Sequence, residues 1–381
     1  MRILDELTVP KIDQTGPVAA DEFVYVDISS VDNKTKRIVD PKRLPVAAAP
    51  SRARQRLRTG DVLVSMTRPN LNAVAIVPPE LDGSIGSTGF HVLRAKDDVD
   101  ARWLFNAVQS RGFIETMEGF VQGALYPAVR PKDIRGFELH VPPLPEQRRI
   151  LDEIEKQFSR LDEAVANLQR VKANLKRYEK ATIESLTNSE TFEVCVSGTI
   201  ADVAISLDNM RKPVNKAERA TRPGNIPYLG ANGQTGWIDA HLFDEEIVLV
   251  VEDETFVGRT APFSYYFAEK CWVNNHTHVL RAKPDVVSPK YLNLALSYYP
   301  FIPLTTGSTG RRKLTKGALM VAPIVVPSLV QQEQIVSEVE RRLSLASGVL
   351  AEIGKNLQRS EKLRQAVLAT AFGIQSAQPE H

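Results

Sequence analysis

Several absences narrow the possibilities for this 381-residue chain before any motif is read. It holds two cysteines, Cys195 and Cys271, too few for a disulfide framework, so two reduced thiols are expected. No apolar run approaches the ~20 residues that a membrane-spanning helix needs. The opening "MRILDELTVPKIDQ" puts acids where a secretion signal needs an apolar core. A cytoplasmic protein is therefore expected. Charge of one sign is also lacking. Lys and Arg number 48 against 46 Asp and Glu, so a nucleic-acid partner has to be argued from local clusters, not from the total. The sequence contains no Walker-type phosphate loop and no Cys/His metal spacing, and the acidic "EDE" (Glu252–Glu254) lacks a Glu-x-Lys partner at a sensible distance. A catalytic site is not visible.

What is there is repetition. At this length two or more domains are the default, and "HVLRAK" occurs twice, at His91–Lys96 and His278–Lys283. Each copy is preceded by an acid-led, β-branched strand pattern, "GDVLVS" (Gly60–Ser65) and "EEIVLV" (Glu245–Val250). Each is followed by a turn and a helix start, Trp103-Leu104 and Tyr291-Leu292. Further on, a constant offset of 185 aligns Val141 with Val326, Pro142 with Pro327, Leu144 with Leu329, Gln147 with Gln332 and Ile150 with Ile335. The same offset carries through Glu153/Glu338, Glu155/Glu340 and Ser159/Ser344. The chain is a duplicated unit.

Each unit has a globular piece of short strands and turns, then a long helix. In the first helix, apolar positions fall at Ile150, Ile154, Phe158, Leu161, Val165, Leu168, Leu175, Tyr178 and Leu186. In the second they fall at Ile335, Val339, Leu343, Ala346, Leu350, Ile353, Leu357, Leu363 and Val367. Spacings of three and four with charges between are a coiled-coil seam, and roughly forty residues make a rod of ~60 Å. The fold class expected is α+β, with two pseudo-symmetric mixed α/β pieces separated by a long antiparallel two-helix coiled coil.

Basic residues cluster locally. "SRARQRLR" (Ser51–Arg58) carries four Arg, and "NKTKRIVDPKR" (Asn33–Arg43) carries five Lys or Arg. "GSTGRRKLTKG" sets Arg311, Arg312, Lys313 and Lys316 beside a Gly/Ser/Thr loop. Small residues let backbone approach a phosphate, and Arg or Lys releases counterions. One cluster alone is more often a solvated face; several on one unit favour DNA. Reading bases needs Arg forks and Asn or Gln amides. "TRPNLNA" supplies Arg68, Asn70 and Asn72; "GANGQTGW" supplies Asn232 and Gln234; "NNHTH" supplies Asn274 and Asn275. Arg52, Arg54, Arg56, Arg130 and Lys132 form the expected positioning cluster. Any single Asn here more commonly bonds its own backbone in a turn. "NIPY" (Asn225–Tyr228) superficially suggests an adenine-methyltransferase box but lacks its second Pro and any Gly-rich loop ahead of it. His276 and His278, two apart, suit polar side chains of a binding loop better than metal ligands.

Taken in order, "PPLPEQRRI", "LRQAVLATAFGI", "RQRLRTGDVLVSMTRPN", "PYLGANGQTGWID" and "WVNNHTHVL" resemble the specificity (S) subunits of Type I restriction–modification enzymes across nearly the whole chain. The N-terminus lacks that family's Trp-led opening, and Pro327-Ser328 and Gln331 stand where a double Pro and a Glu are usual. The resemblance implies a first target recognition domain over 1–143, a first spacer helix over 144–188, a second recognition domain over 189–327, a second spacer helix over 328–374 and a disordered tail over 375–381. It implies a non-catalytic reader in which each recognition domain takes one half of a split DNA sequence and the helices set the gap. Those helices would dock two methyltransferase subunits, with restriction/translocase subunits added. S-adenosylmethionine, ATP and Mg would belong to those partners and no cofactor to this chain. Two competing readings are a self-contained adenine methyltransferase using "NIPY" and a coiled-coil adaptor without a DNA role.

Overall fold

The two copies of the hexapeptide are two copies of one structural joint. The computed structural model of the chain describes all residues except 19–20, 122–126, 189, 191, 193–194, 255, 308–311 and 373–381. In the first copy the strand Phe90–Leu93 pairs antiparallel with Val62–Ser65; in the second, Thr277–Ala282 pairs antiparallel with Ile247–Val251. The arginine of each copy then closes on the acid that leads its partner strand. Arg94 grips both carboxylate oxygens of Asp61 at 2.7 Å, and Arg281 donates Nη2 to Glu245 at 2.6 Å. The lysine of each copy reaches the unpaired carbonyls that end a short helix. Lys96 donates Nζ to Glu6 O and its backbone N–H to Leu7 O; Lys283 donates Nζ to Ala201 and Asp202 and its N–H to Val203 O. The mixed chemistry of "HVLRAK" thus has one cause: apolar residues for the sheet, Arg and Lys for two flanking anchors.

Two structural units contain these joints: Met1–Leu168 with Lys355–His381, and Gln169–Gly354. The first unit has a four-stranded sheet in the order Lys42–Pro45, Glu22–Val26, Ile85–Ser87, Ala53–Arg56, and a three-stranded sheet of Phe90–Leu93, Val62–Ser65 and Val74–Ile76. The second has a four-stranded sheet of Ala204–Ser206, Thr277–Ala282, Ile247–Val251 and Ser264–Phe267, and a three-stranded sheet of Gly233–Ile238, Ile226–Gly230 and Trp272–Val273. A parallel pairing recurs in both: Tyr25 opposite Ile85, and Tyr228 opposite Trp272, six residues ahead of each hexapeptide. Each unit also pairs its leading strand with the one before a long helix, Arg2–Ile3 with Glu138–Leu139 and Cys195–Thr199 with Pro323–Pro327.

The long helices span Leu144–Leu186 and Leu329–Phe372, and each contributes residues to both units. In the first unit Leu151, Ile154, Leu368 and Phe372 join one core with Leu4, Leu7, Trp103 and Leu104. The Trp103 and Phe372 rings meet edge-on at 4.6 Å. Arg364 lies 4.2 Å over the Phe158 ring and pairs with Asp162. Numbers rise along one helix as they fall along the other, so these two segments run antiparallel inside the unit. Tyr178 and Leu363, assigned to the seam by spacing, are 44% and 54% exposed and lie off it. Among the described residues no helix is long and apolar enough to cross a membrane.

Candidate nucleic-acid interface

In the first unit, backbone pairing stitches the basic loops side by side. The strand Ala53–Arg56 alternates, burying Ala53 and Gln55 and exposing Arg54 and Arg56. Gln55 anchors it by donating to the carbonyls of Ser87 and Phe90. Arg52, in the preceding turn, accepts at its carbonyl from Thr88 N–H, and the neighbouring Gly89 carbonyl accepts from Met66. Arg68 N–H bonds Pro127 O at 2.9 Å, and Val129 N–H bonds Met66 O at 2.9 Å. The loops bearing Arg52, Arg68 and Arg130 are therefore neighbours, although the sequence separates them by up to 78 positions. Arg130 and Lys132, both exposed, open the helix Pro131–Arg135. The Arg130 guanidinium and backbone N–H hold the Asp133 carboxyl below its usual range.

The loop after Val62–Ser65 presents Arg68 and Asn70 to solvent around a buried Pro69. Asn72 does not join them. It is 7% exposed, donates Nδ2 to Val108 O at 2.8 Å and accepts at Oδ1 from Lys36. Its amide is committed inside the fold, which removes it from the surface set.

In the second unit, Asn232 and Gln234 stand exposed on the hairpin of Ile226–Gly230 and Gly233–Ile238, where Gly233 has φ +98. Asn274 packs against Gly230, where an added Cβ would meet its Nδ2 at 2.8 Å, and its Oδ1 accepts from His276 N–H. That is the local turn bond an Asn more commonly makes. Asn275 is exposed. Arg312 and Lys313 form a short strand against Asp253–Glu254. Arg312 is spent on Thr305, donating to its hydroxyl at 2.6 Å and its carbonyl at 2.9 Å, while Lys313 is exposed and pairs with Glu252 at 3.1 Å. Arg311 lies outside the described residues.

Beneath this edge sits a buried charge network that sequence reasoning did not find. Arg211 bonds Glu252 at 2.5 Å, faces Asp208 at 3.3 Å and donates to Thr277 O at 2.8 Å. His278, 1% exposed, sets Nδ1 on Asp208 at 2.6 Å and Nε2 on Leu314 O at 2.8 Å. Burial pushes the carboxyls of Asp208 and Glu252 up, but the His278 bond and charge and the Arg211 bond outweigh it, so both stay below their ordinary range. His276 pairs with Asp253 at 2.6 Å. Both histidines are thus tied to carboxylates of the framework, and among the described residues no His, Cys, Asp and Glu cluster is arranged to hold a metal. "NIPY" enters a strand: Tyr228 is buried, its hydroxyl donates to Val214 O and Arg219 covers its ring at 4.4 Å. No aromatic face is left there to stack on a base.

Residues 193–353 match the family described as the Type I restriction modification DNA specificity domain. A Haemophilus influenzae protein named as a type I restriction enzyme specificity subunit, S.HindORF215P, is 35% identical over 147 residues, which span 38% of this chain but only 37% of that relative. A chain from a structure on complex assembly and conformational transition of the type I R-M system aligns with TM-score 0.76 and 26% identity, over 97% of this chain and 96% of that one. The HsdS subunit of Thermoanaerobacter tengcongensis, at 24% identity and TM-score 0.54 over 97% and 95% of the two chains, shares the fold. Residues 193–353 thus carry the likeness to the Type I restriction modification DNA specificity domain, and the chain as a whole shares its fold with the type I R-M chain it aligns with.

Proposed function

We propose that this chain reads a bipartite DNA target for a Type I restriction–modification complex and carries no catalysis of its own. Each globular piece takes one half-site, and the long helices set the gap and dock two methyltransferase subunits, to which restriction/translocase subunits are added. The proposed domain limits are those of the sequence reading, 1–143 and 189–327 for the readers and 144–188 and 328–374 for the spacers; the tail 375–381 lies outside the described residues. S-adenosylmethionine, ATP and Mg serve the partners, and the complex works in the cytoplasm.

The observation that carries this reading is the repeated joint: two units built on the same anchors, each ending in a helix of more than forty residues. Exposed Arg52, Arg54, Arg56, Arg68, Arg130 and Lys132 in the first unit and Lys313 in the second contact phosphates; Asn70, Asn232, Gln234 and Asn275 reach base edges. The paired bonds of Asn72, Asn274 and Arg312 give them supporting roles.

Sequencing of methylated bases in a host that carries the chain and its methyltransferase partner tests the reading. One split adenine motif with a fixed gap is expected. An unsplit motif, or S-adenosylmethionine binding by the isolated chain, would overturn it in favour of a self-contained methyltransferase.

A further inference from the structure

Among the described residues, three non-glycine positions adopt the left-handed backbone: Lys36 (φ 57), Arg68 (φ 50) and Asn72 (φ 45). Each costs conformational energy that surrounding contacts have to hold in place. Lys36 and Asn72 meet directly, and Arg68 opens the short turn that Asn72 closes. Arg68 and Asn72 flank the turn Pro69–Leu71, whose N–H groups close it through Leu71 to Arg68 O and Asn72 to Pro69 O. Lys36 ends the turn of the hairpin Val31–Asp32/Arg37–Ile38 and reaches across to Asn72, donating Nζ to its backbone oxygen at 2.5 Å and to Oδ1 at 2.8 Å.

The other side of Asn72 is fastened as well. Its Nδ2 holds Val108 O at 2.8 Å, and the next carbonyl, Gln109 O, accepts from Gln365 Nε2 of the second long helix at 3.2 Å. Between these fastenings Arg68, Asn70 and the 44% exposed Leu71 project outward. Strain gathered behind an exposed polar tip is the arrangement of a preorganised binding element.

We propose that Lys36 is a positioning residue for DNA reading: by clamping Asn72 it presents Arg68, Asn70 and Leu71 already ordered, and so fixes base selection in the first half-site. This rests on the DNA-reading function proposed above. An ordered loop pays little entropy on meeting the duplex and discriminates by geometry, with Arg and Asn for base edges and an apolar Leu for a thymine methyl. The clamp is also proton-dependent. Burial pushes the Lys36 amine down to about 8, with Arg364 acting in the same direction and Glu361 and Asp32 against it. Above that value the ammonium loses a proton and binds its two oxygens less strongly.

The test is selection from random duplex DNA by the full chain co-purified with its methyltransferase partner. The wild type is compared with Lys36→Met at pH 7, and the wild type alone is compared at pH 7 and pH 9. Lys36→Met is expected to lose about tenfold in base discrimination across the first half-site and to keep the second, and wild type at pH 9 to show the same one-sided loss. A folded Lys36→Met that selects both halves as wild type does would overturn the clamp. So would unchanged first-half discrimination at pH 9, which decides the matter even where the variant fails to fold. Failure of the wild type to enrich any split motif would instead remove the DNA-reading function itself.

Discussion

Gln332 repeats, 185 positions further along, the three hydrogen bonds of Gln147. Gln147 donates Nε2 to the carbonyls of Asp98 and Pro142 at 3.0 and 2.9 Å and accepts at Oε1 from Asp100 N–H at 2.9 Å. Gln332 donates to Val286 and Pro327 at 2.9 Å each and accepts from Ser288 N–H at 2.8 Å. Both side chains are fully buried. Asp100 and Ser288 are the N-caps of the helices Ala101–Ala107 and Pro289–Ser297. One amide per unit therefore ties the first turn of a long helix to the entrance of a short one.

Gln147→Ala and Gln332→Ala each strand three backbone groups, most of them partly buried, that a fully buried amide now satisfies. Each is expected to cost about 3 kcal/mol of unfolding free energy, since one unsatisfied buried group costs ~1–3 kcal/mol and some will find water. Urea unfolding followed by circular dichroism checks it. Losses below about 0.5 kcal/mol would show that the bonds do not hold the joint.

Arg54→Ala with Arg56→Ala removes two exposed guanidinium groups from a strand whose inward residues are untouched. If both meet phosphates, DNA affinity should fall similarly on all sequences, and the slope of log affinity against log salt should flatten by about 2. Loss on the cognate sequence alone would point to base reading.

Acid stability follows from the buried network of the second unit. Carboxyls of Asp208 and Glu252 that ionise more readily when folded contribute stability at pH values above their ordinary range, and that contribution is lost as pH falls through the depressed values. Arg211→Met should therefore move acid unfolding to higher pH. It should also cost roughly 3–5 kcal/mol at neutral pH, because breaking a buried pair leaves a charge uncompensated. Fluorescence-monitored pH titration is the measurement; an unmoved midpoint would count against the network.

The proposed spacing role has its own check. Inserting one heptad after Leu168 and one after Ile353, the position 185 further on, lengthens both helices by ~10 Å. The half-sites should keep their bases while the gap widens. Altered bases across an unaltered gap would contradict it.

The joints were legible only as repetition: the hexapeptide and the Gln on each long helix's first turn keep their order when a unit is copied. Their partners, 33 positions away for Arg94 and 49 for Gln147, came from the fold. The basic clusters were legible as composition, yet their use was not. Asn72 and Asn70 sit two apart in one motif; one ends buried between Lys36 and Val108 and the other faces solvent. Lys36 itself stood unremarked in a charge run, because only a folded hairpin carries it to a residue 36 positions away. Arg211, Glu252 and His278 likewise come together from three separate segments.

Sequence alone determined that the chain is a duplicated unit with long amphipathic helices, since periodicity and a repeated order of residues are read along the chain without knowing any contact. Tertiary structure decided which polar side chains are spent inside and which are offered outside. That choice depends on partners distant in sequence, and a buried amide or charge is tolerated only where folding delivers one.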